Sequence, residues 1–144
     1  MVLRQDVQDK VIQMINKTII NTNTDKIVLY GGATSQTLHD RLDQHKNEDV
    51  RFENMKSILL HETDSYEVIK DAEKFLIEQL SILNNNNPKY EILNDKNMDG
   101  QLAQRGGAGI REGENNYRLY LLVNNKKYNF MENIYEYNPF NLFR

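Results

Sequence analysis

Hydrophobic residues recur along the first stretch of the chain at helical spacing. Val7, Val11, Met14, Ile15 and Ile19 stand at i, i+4, i+7, i+8 and i+12, which places them on one face of an amphipathic helix over residues 5–20. The polar run Asn21-Thr22-Asn23-Thr24-Asp25 breaks it. Ile27-Val28-Leu29-Tyr30 is a short apolar run rich in strand formers that ends at Gly31-Gly32. It predicts a buried strand followed by a tight turn. Thr34 or Ser35 offers a cap for a helix reaching about residue 46, with Leu38 and Leu42 turned inward.

Residues 47–54 are polar and read as a loop, and Ser57-Ile58-Leu59-Leu60-His61 reads as a second strand. Asp64 with Glu67 three residues later matches a capping box. The helix it opens has the stripe Ile69, Ala72, Leu76, Leu80 and Leu83, and the run Asn84–Asn87 with Pro88 ends it as a loop. Residues 94–116 are rich in Gly and polar side chains and include Gly106-Gly107-Ala108-Gly109. Tyr117–Val123 is a third strand, followed by an Asn-Asn-Lys-Lys turn. The sum is a small α/β domain over residues 1–125, a three-stranded sheet flanked by about three helices. Residues 126–144 form an aromatic-rich extension holding Tyr128, Phe130, Tyr135, Tyr137, Phe140 and Phe143, with neither helical nor strand periodicity.

Composition narrows the function classes. The chain has 144 residues, 39% hydrophobic and 27% charged, enough for one globular domain. It has no cysteine, which removes disulfides, thiolate metal sites and cysteine nucleophiles. No apolar run approaches the roughly 20 residues of a membrane span, and the N-terminus has no basic segment leading an apolar core. The expectation is an intracellular, non-secreted protein without a membrane contact. A net charge of −3 and a pI near 5.6 argue against tight nonspecific nucleic-acid binding. Activity on nucleic acid would need a local basic patch, a metal or a partner.

Three sites on this scaffold offer chemistry. Arg41 and His45 are four residues apart on one helix, so their side chains are neighbours. A guanidinium can hold two phosphate oxygens at once, and an imidazole can hold a further oxygen or relay a proton. Glu73 borders the apolar stripe, with Ile69, Ala72, Leu76 and Ile77 around it. A carboxylate there needs a partner or a hard cation such as Mg²⁺. Tyr30 ends a strand beside the Arg41 helix, where a hydroxyl of lowered pKa would orient or deprotonate a water. A helix starting after Gly32 and Thr34 would favour a phosphate at its N-terminus. Taken singly, each also fits an ordinary role: a solvated helix face, a border carboxylate paired with Lys70 or Lys74, a packed strand-end tyrosine.

Together these residues resemble the GIY-YIG nuclease superfamily. Tyr30-Gly31-Gly32-Ala33-Thr34 matches its Tyr-x-Gly-x-Thr strand, Arg41 and His45 its helical Arg and His, and Ala72-Glu73-Lys74-Phe75-Leu76-Ile77 the setting of its metal-binding Glu. The resemblance covers residues 25–83. It implies metal-dependent hydrolysis of DNA or RNA. Tyr30 would help activate water, Arg41 stabilise the pentacovalent phosphate and Glu73 hold Mg²⁺ or Mn²⁺. The family's leading Gly-Ile-Tyr strand is absent, and the helix over 5–20 stands in its stead. A variant group with a leading helix and a late Gly-Gly loop and Tyr-rich strand looks similar, matched here by Gly106–Gly109 and Tyr117-Arg118-Leu119-Tyr120. The last strand would then take the missing strand's place in a permuted sheet. Tyr117 or Tyr120 would replace the missing tyrosine, but not both, because strand side chains alternate between faces.

Two other readings stand beside this one. Ile27 to Leu42 also looks like the strand–Gly-Gly-x-Thr–helix segment of sugar-phosphate isomerases and lactonases, whose further acid and His motifs this chain lacks. The acidic pI and the aromatic tail suit a catalytically silent scaffold that docks a protein partner through its C-terminal segment.

Overall fold

Val7, Val11 and Ile15, with Leu3 just ahead of the helix, bury one side of the first helix, α1 (Gln5–Asn21), in the apolar core. The structure, a computed structural model, describes residues 3–22, 24–103 and 110–124. After α1 come β1 (Ile27–Thr34), α2 (Leu38–Glu48), a 3₁₀ turn at Val50–Phe52, β2 (Met55–Thr63), α3 (Tyr66–Asn86), β3 (Tyr90–Ile92) and β4 (Tyr117–Asn124). The described residues are therefore α/β, with three α-helices and one mixed sheet.

The sheet has four strands in the order β2-β4-β1-β3. The last strand, β4, lies between β1 and β2 and is antiparallel to both, while β3 runs parallel to β1. The strand count exceeds the expected three because of β3, whose three residues are too few for a readable period. The sheet separates two apolar clusters. One holds α1, α3 and the side chains of Leu29, Leu60, Tyr117, Leu119 and Leu121. The other holds Phe52, Met55, Leu93, Tyr120 and Leu122, with Leu38 and Leu42 of α2 packed on it. Tyr117 and Tyr120 thus belong to opposite faces, as alternation requires.

Several local expectations are corrected. Gly31 and Gly32 are not a turn but the middle of β1, which pairs with β4 as far as Thr34. A Cβ on Gly31 would stand 2.7 Å from Leu76 and Leu80 of α3, and one on Gly32 would stand 2.6 Å from the Tyr120 hydroxyl. The glycines serve close approach on both faces of the strand. The α2 cap is Thr37, whose side chain accepts from Asp40 N–H, not Thr34 or Ser35. The α3 cap is Ser65, accepting from Val68 N–H, not Asp64. Asn84, Asn85 and Asn86 form the last turn of α3. The helix stops at Asn87 because the residue before Pro88 is pushed out of the helical region. Phe52, within the stretch read as a polar loop, is buried. Gly106–Gly109 and the segment 126–144 lie outside the described residues. Among the described residues no helix is long and apolar enough to cross a membrane.

Candidate functional site

The parallel pairing of β3 with β1 ends at Ile92, and the edge of β1 beyond it faces a cavity of about 430 Å³. Tyr30 and Gly31 of β1, Arg41 and His45 of α2, Glu73 and Ile77 of α3, and Asn94 and Asp95 all line it. Helices α2 and α3 cover opposite faces of the sheet. Side chains from both helices line the cavity beside this end of β1.

Gly31 sets the distance on the α3 side. With no side chain, it lets Leu76 and Leu80 press onto the strand. That contact brings Glu73, on the same helical face as Leu76 and Leu80, to the cavity wall. Glu73 is only 7% exposed. Gly32 sets the distance on the other face. It stands opposite Tyr120 in the β1–β4 register, so the Tyr120 ring lies across it toward α2.

Tyr120 joins the two α2 residues. Arg41 Nε donates to the Tyr120 hydroxyl oxygen at 3.3 Å, and His45 Nε2 lies 2.8 Å from the same oxygen. The oxygen accepts from Arg41, and its own proton is then available to His45 Nε2. In that arrangement the imidazole is neutral with its proton on Nδ1, whereas the other tautomer donates from Nε2 to the same oxygen. Tyr120 is 1% exposed and stands behind the cavity wall. Tyr30 completes the cluster. Its ring meets His45 edge-on at 4.7 Å and Phe52 at 5.3 Å, and Phe52 stacks on His45 at 4.7 Å.

Burial governs the protonation states. Burial, with the Arg41 cation adding to it, pulls the His45 pKa from 6.5 down to about 4, so the imidazole is neutral at pH 7. Burial also raises Tyr30. Arg41 opposes this, and the carboxylates of Glu73 and Asp95 reinforce it. Tyr120 is raised as well, mainly by burial. Set by the protein's own groups, both tyrosines keep their protons at neutral pH. Either can orient a group by hydrogen bonding, and neither supplies a ready base.

Tyr30, Arg41, His45 and Glu73 thus line one cavity, and Tyr120 links two of them from behind. Gly32 and Thr34 are elsewhere. Gly32 lies beneath Tyr120. Thr34 lines a second cavity of about 530 Å³, which also includes Arg41, Gln36 and Arg111. The sequence reading missed Phe52, a lone aromatic in a polar stretch, and Asn94, which no pattern marks. Compared with family models, curated proteins and solved structures, the chain matches none of them.

Proposed function

We propose that this chain is a metal-dependent endonuclease-like domain that hydrolyses nucleic-acid phosphodiester bonds, with a permuted GIY-YIG-like sheet in which β4 stands for the missing first strand. The observation that supports it is the shared cavity: Arg41 from one face of the sheet and Glu73 from the other open onto the same space beside Tyr30. Arg41 engages Tyr120 through Nε, a bond that leaves the two-point contact of its Nη groups to a phosphate. Tyr30 orients the attacking water as a neutral hydroxyl. Tyr120 is a positioning residue, holding Arg41 and His45.

Glu73 is the residue that would hold Mg²⁺ or Mn²⁺. Its carboxylate is buried at the wall of a polar cavity that Asp95 also lines, and hard divalent ions use one or two carboxylates with water and phosphate oxygens. Among the described residues no group of three or more His, Cys, Asp or Glu side chains is placed to hold a metal ion. A bound ion would supply Lewis-acid stabilisation of the phosphate charge.

The test is nicking of supercoiled DNA, and cleavage of branched and single-stranded DNA and of RNA, in Mg²⁺ and Mn²⁺. Arg41→Ala and Glu73→Gln are expected to lose at least about a hundredfold in rate while keeping the fold. Cleavage by Glu73→Gln at the wild-type rate would remove Glu73 from the reaction. A second reading, a catalytically silent scaffold, is favoured by one observation. Among the described residues Glu48, Asp49, Glu73 and Asp95 line the cavity with Arg41 and Arg51, so the described part of its wall carries no excess of the cations that a polyanion seeks. Absence of cleavage on every substrate would move that reading ahead.

A further inference from the structure

Asn94, one of the residues lining the cavity, takes the place of backbone at the edge of β1. The pairing of β3 with β1 is regular through Leu29↔Ile92, and Leu93 N–H donates to Leu29 O at 2.8 Å. A continued parallel ladder would next bring the carbonyl of residue 93 to Gly31 N–H and the amide of residue 95 to Gly31 O. Neither backbone group does this. Gly31 N–H donates instead to Asn94 Oδ1 at 3.0 Å, and Asn94 Nδ2 donates to Gly31 O at 2.8 Å. Asn94 is 9% exposed, and both bonds are buried.

The backbone after Asn94 is occupied with itself. Ala103 N–H donates to Asp95 O at 2.9 Å and Asn97 N–H to Gln101 O at 2.7 Å. The chain therefore leaves β1 at this residue and forms a separate small loop, whose ends, Asp95 and Ala103, wall the cavity. If the backbone stayed in the ladder, it would run along the Gly31 edge of β1, beside which the cavity lies. If it left without Asn94, Gly31 would present an unpaired buried N–H and C=O.

We propose that Asn94 is a positioning residue: its side-chain amide replaces one step of the β1–β3 ladder, holding Gly31 and Tyr30 in place while the following backbone departs to open the cavity. A primary amide is suited to this because it offers one acceptor and one donor at the spacing of a backbone peptide. The inference rests on the hydrogen bonds alone and does not depend on the nuclease reading.

Asn94→Asp and Asn94→Ala test it without nucleic acid or metal. An un-ionised carboxyl reproduces both bonds, with its carbonyl accepting from Gly31 N–H and its O–H donating to Gly31 O. An ionised one accepts the first and repels the second. Asn94→Asp is expected to exchange the Gly31 amide proton about tenfold faster than wild type at pH 8, as read by NMR, and to return toward the wild-type ratio at a pH below the midpoint of the introduced carboxyl, which the same titration locates. Asn94→Ala is expected to show faster exchange at both pH values, and displaced Tyr30 ring and His45 imidazole signals. A residue that only adds stability would lower melting in both variants without the pH-dependent recovery or the local signature. Wild-type Gly31 exchange and unmoved Tyr30 and His45 signals in a folded Asn94→Ala would overturn the proposal, as would an Asn94→Asp variant whose Gly31 exchange, relative to wild type, does not respond to pH.

Discussion

His45 makes the site's burial measurable as a dependence of stability on pH. Unfolded, the imidazole binds a proton below about pH 6.5. Folded, it stays neutral until about pH 4. The sign follows from the depressed value. The stabilising difference is fully present above pH 6.5 and is lost as pH falls toward 4, because the unfolded state takes up a proton that the folded state refuses. A displacement of about 2.5 pH units corresponds to about 3 kcal/mol in total, of which about 2.5 kcal/mol is lost between pH 8 and pH 4.5. Urea unfolding across that range, in wild type and in His45→Gln, isolates this contribution. The Gln variant lacks the titrating ring, so subtracting its curve removes the carboxylates and His61, which titrate in both proteins. Imidazole signals followed by NMR give the midpoint directly. Arg41→Gln is expected to raise that midpoint, since the Arg41 cation adds to burial in lowering it. A His45 midpoint near 6.5, or parallel pH curves for wild type and His45→Gln, would refute the placement of this ring in a closed cluster.

The strand glycines and the central tyrosine give two further tests. Gly31→Ala and Gly32→Ala are each expected to cost about 1–3 kcal/mol in urea unfolding by overpacking. Only Gly32→Ala should also move the His45 midpoint, because its Cβ would meet the Tyr120 hydroxyl and not α3; equal effects of both variants on His45 would contradict the register. Tyr120→Phe is expected to cost about 1–3 kcal/mol, since it leaves His45 Nε2 and Arg41 Nε without the hydroxyl they share, and a loss below about 0.5 kcal/mol would mean that water replaces it.

What the sequence determined by itself was the local structure and the order of the pieces. The stripes of α1 and α3 are legible because a 3.6-residue period is written in the chain, and Ile69, Ala72, Leu76 and Leu80 are buried as their spacing requires. The presence of a strand through Tyr30, though not its end, the Arg41–His45 pair and the position of Glu73 beside the stripe were also readable, because each depends on neighbours within one or two turns. The alternation of Tyr117 and Tyr120 between faces was fixed by strand geometry.

Only the tertiary structure decided the rest. Gly31-Gly32 was read as a turn because the strongest local signal of two glycines is conformational freedom. Their use here, admitting Leu76 and Leu80 on one face and Tyr120 on the other, depends on elements about 45 and 90 residues away. The direction of the Tyr30 pKa shift was set by a burial that no local pattern reports. Asn94 sits in a polar segment that reads as loop, and its work lies in the two groups of Gly31 that the end of β3 leaves open. Periodicity records what a residue does for its own helix or strand. Where a sheet stops, and which side chains from its two faces then meet around the edge, is a property of the packed chain.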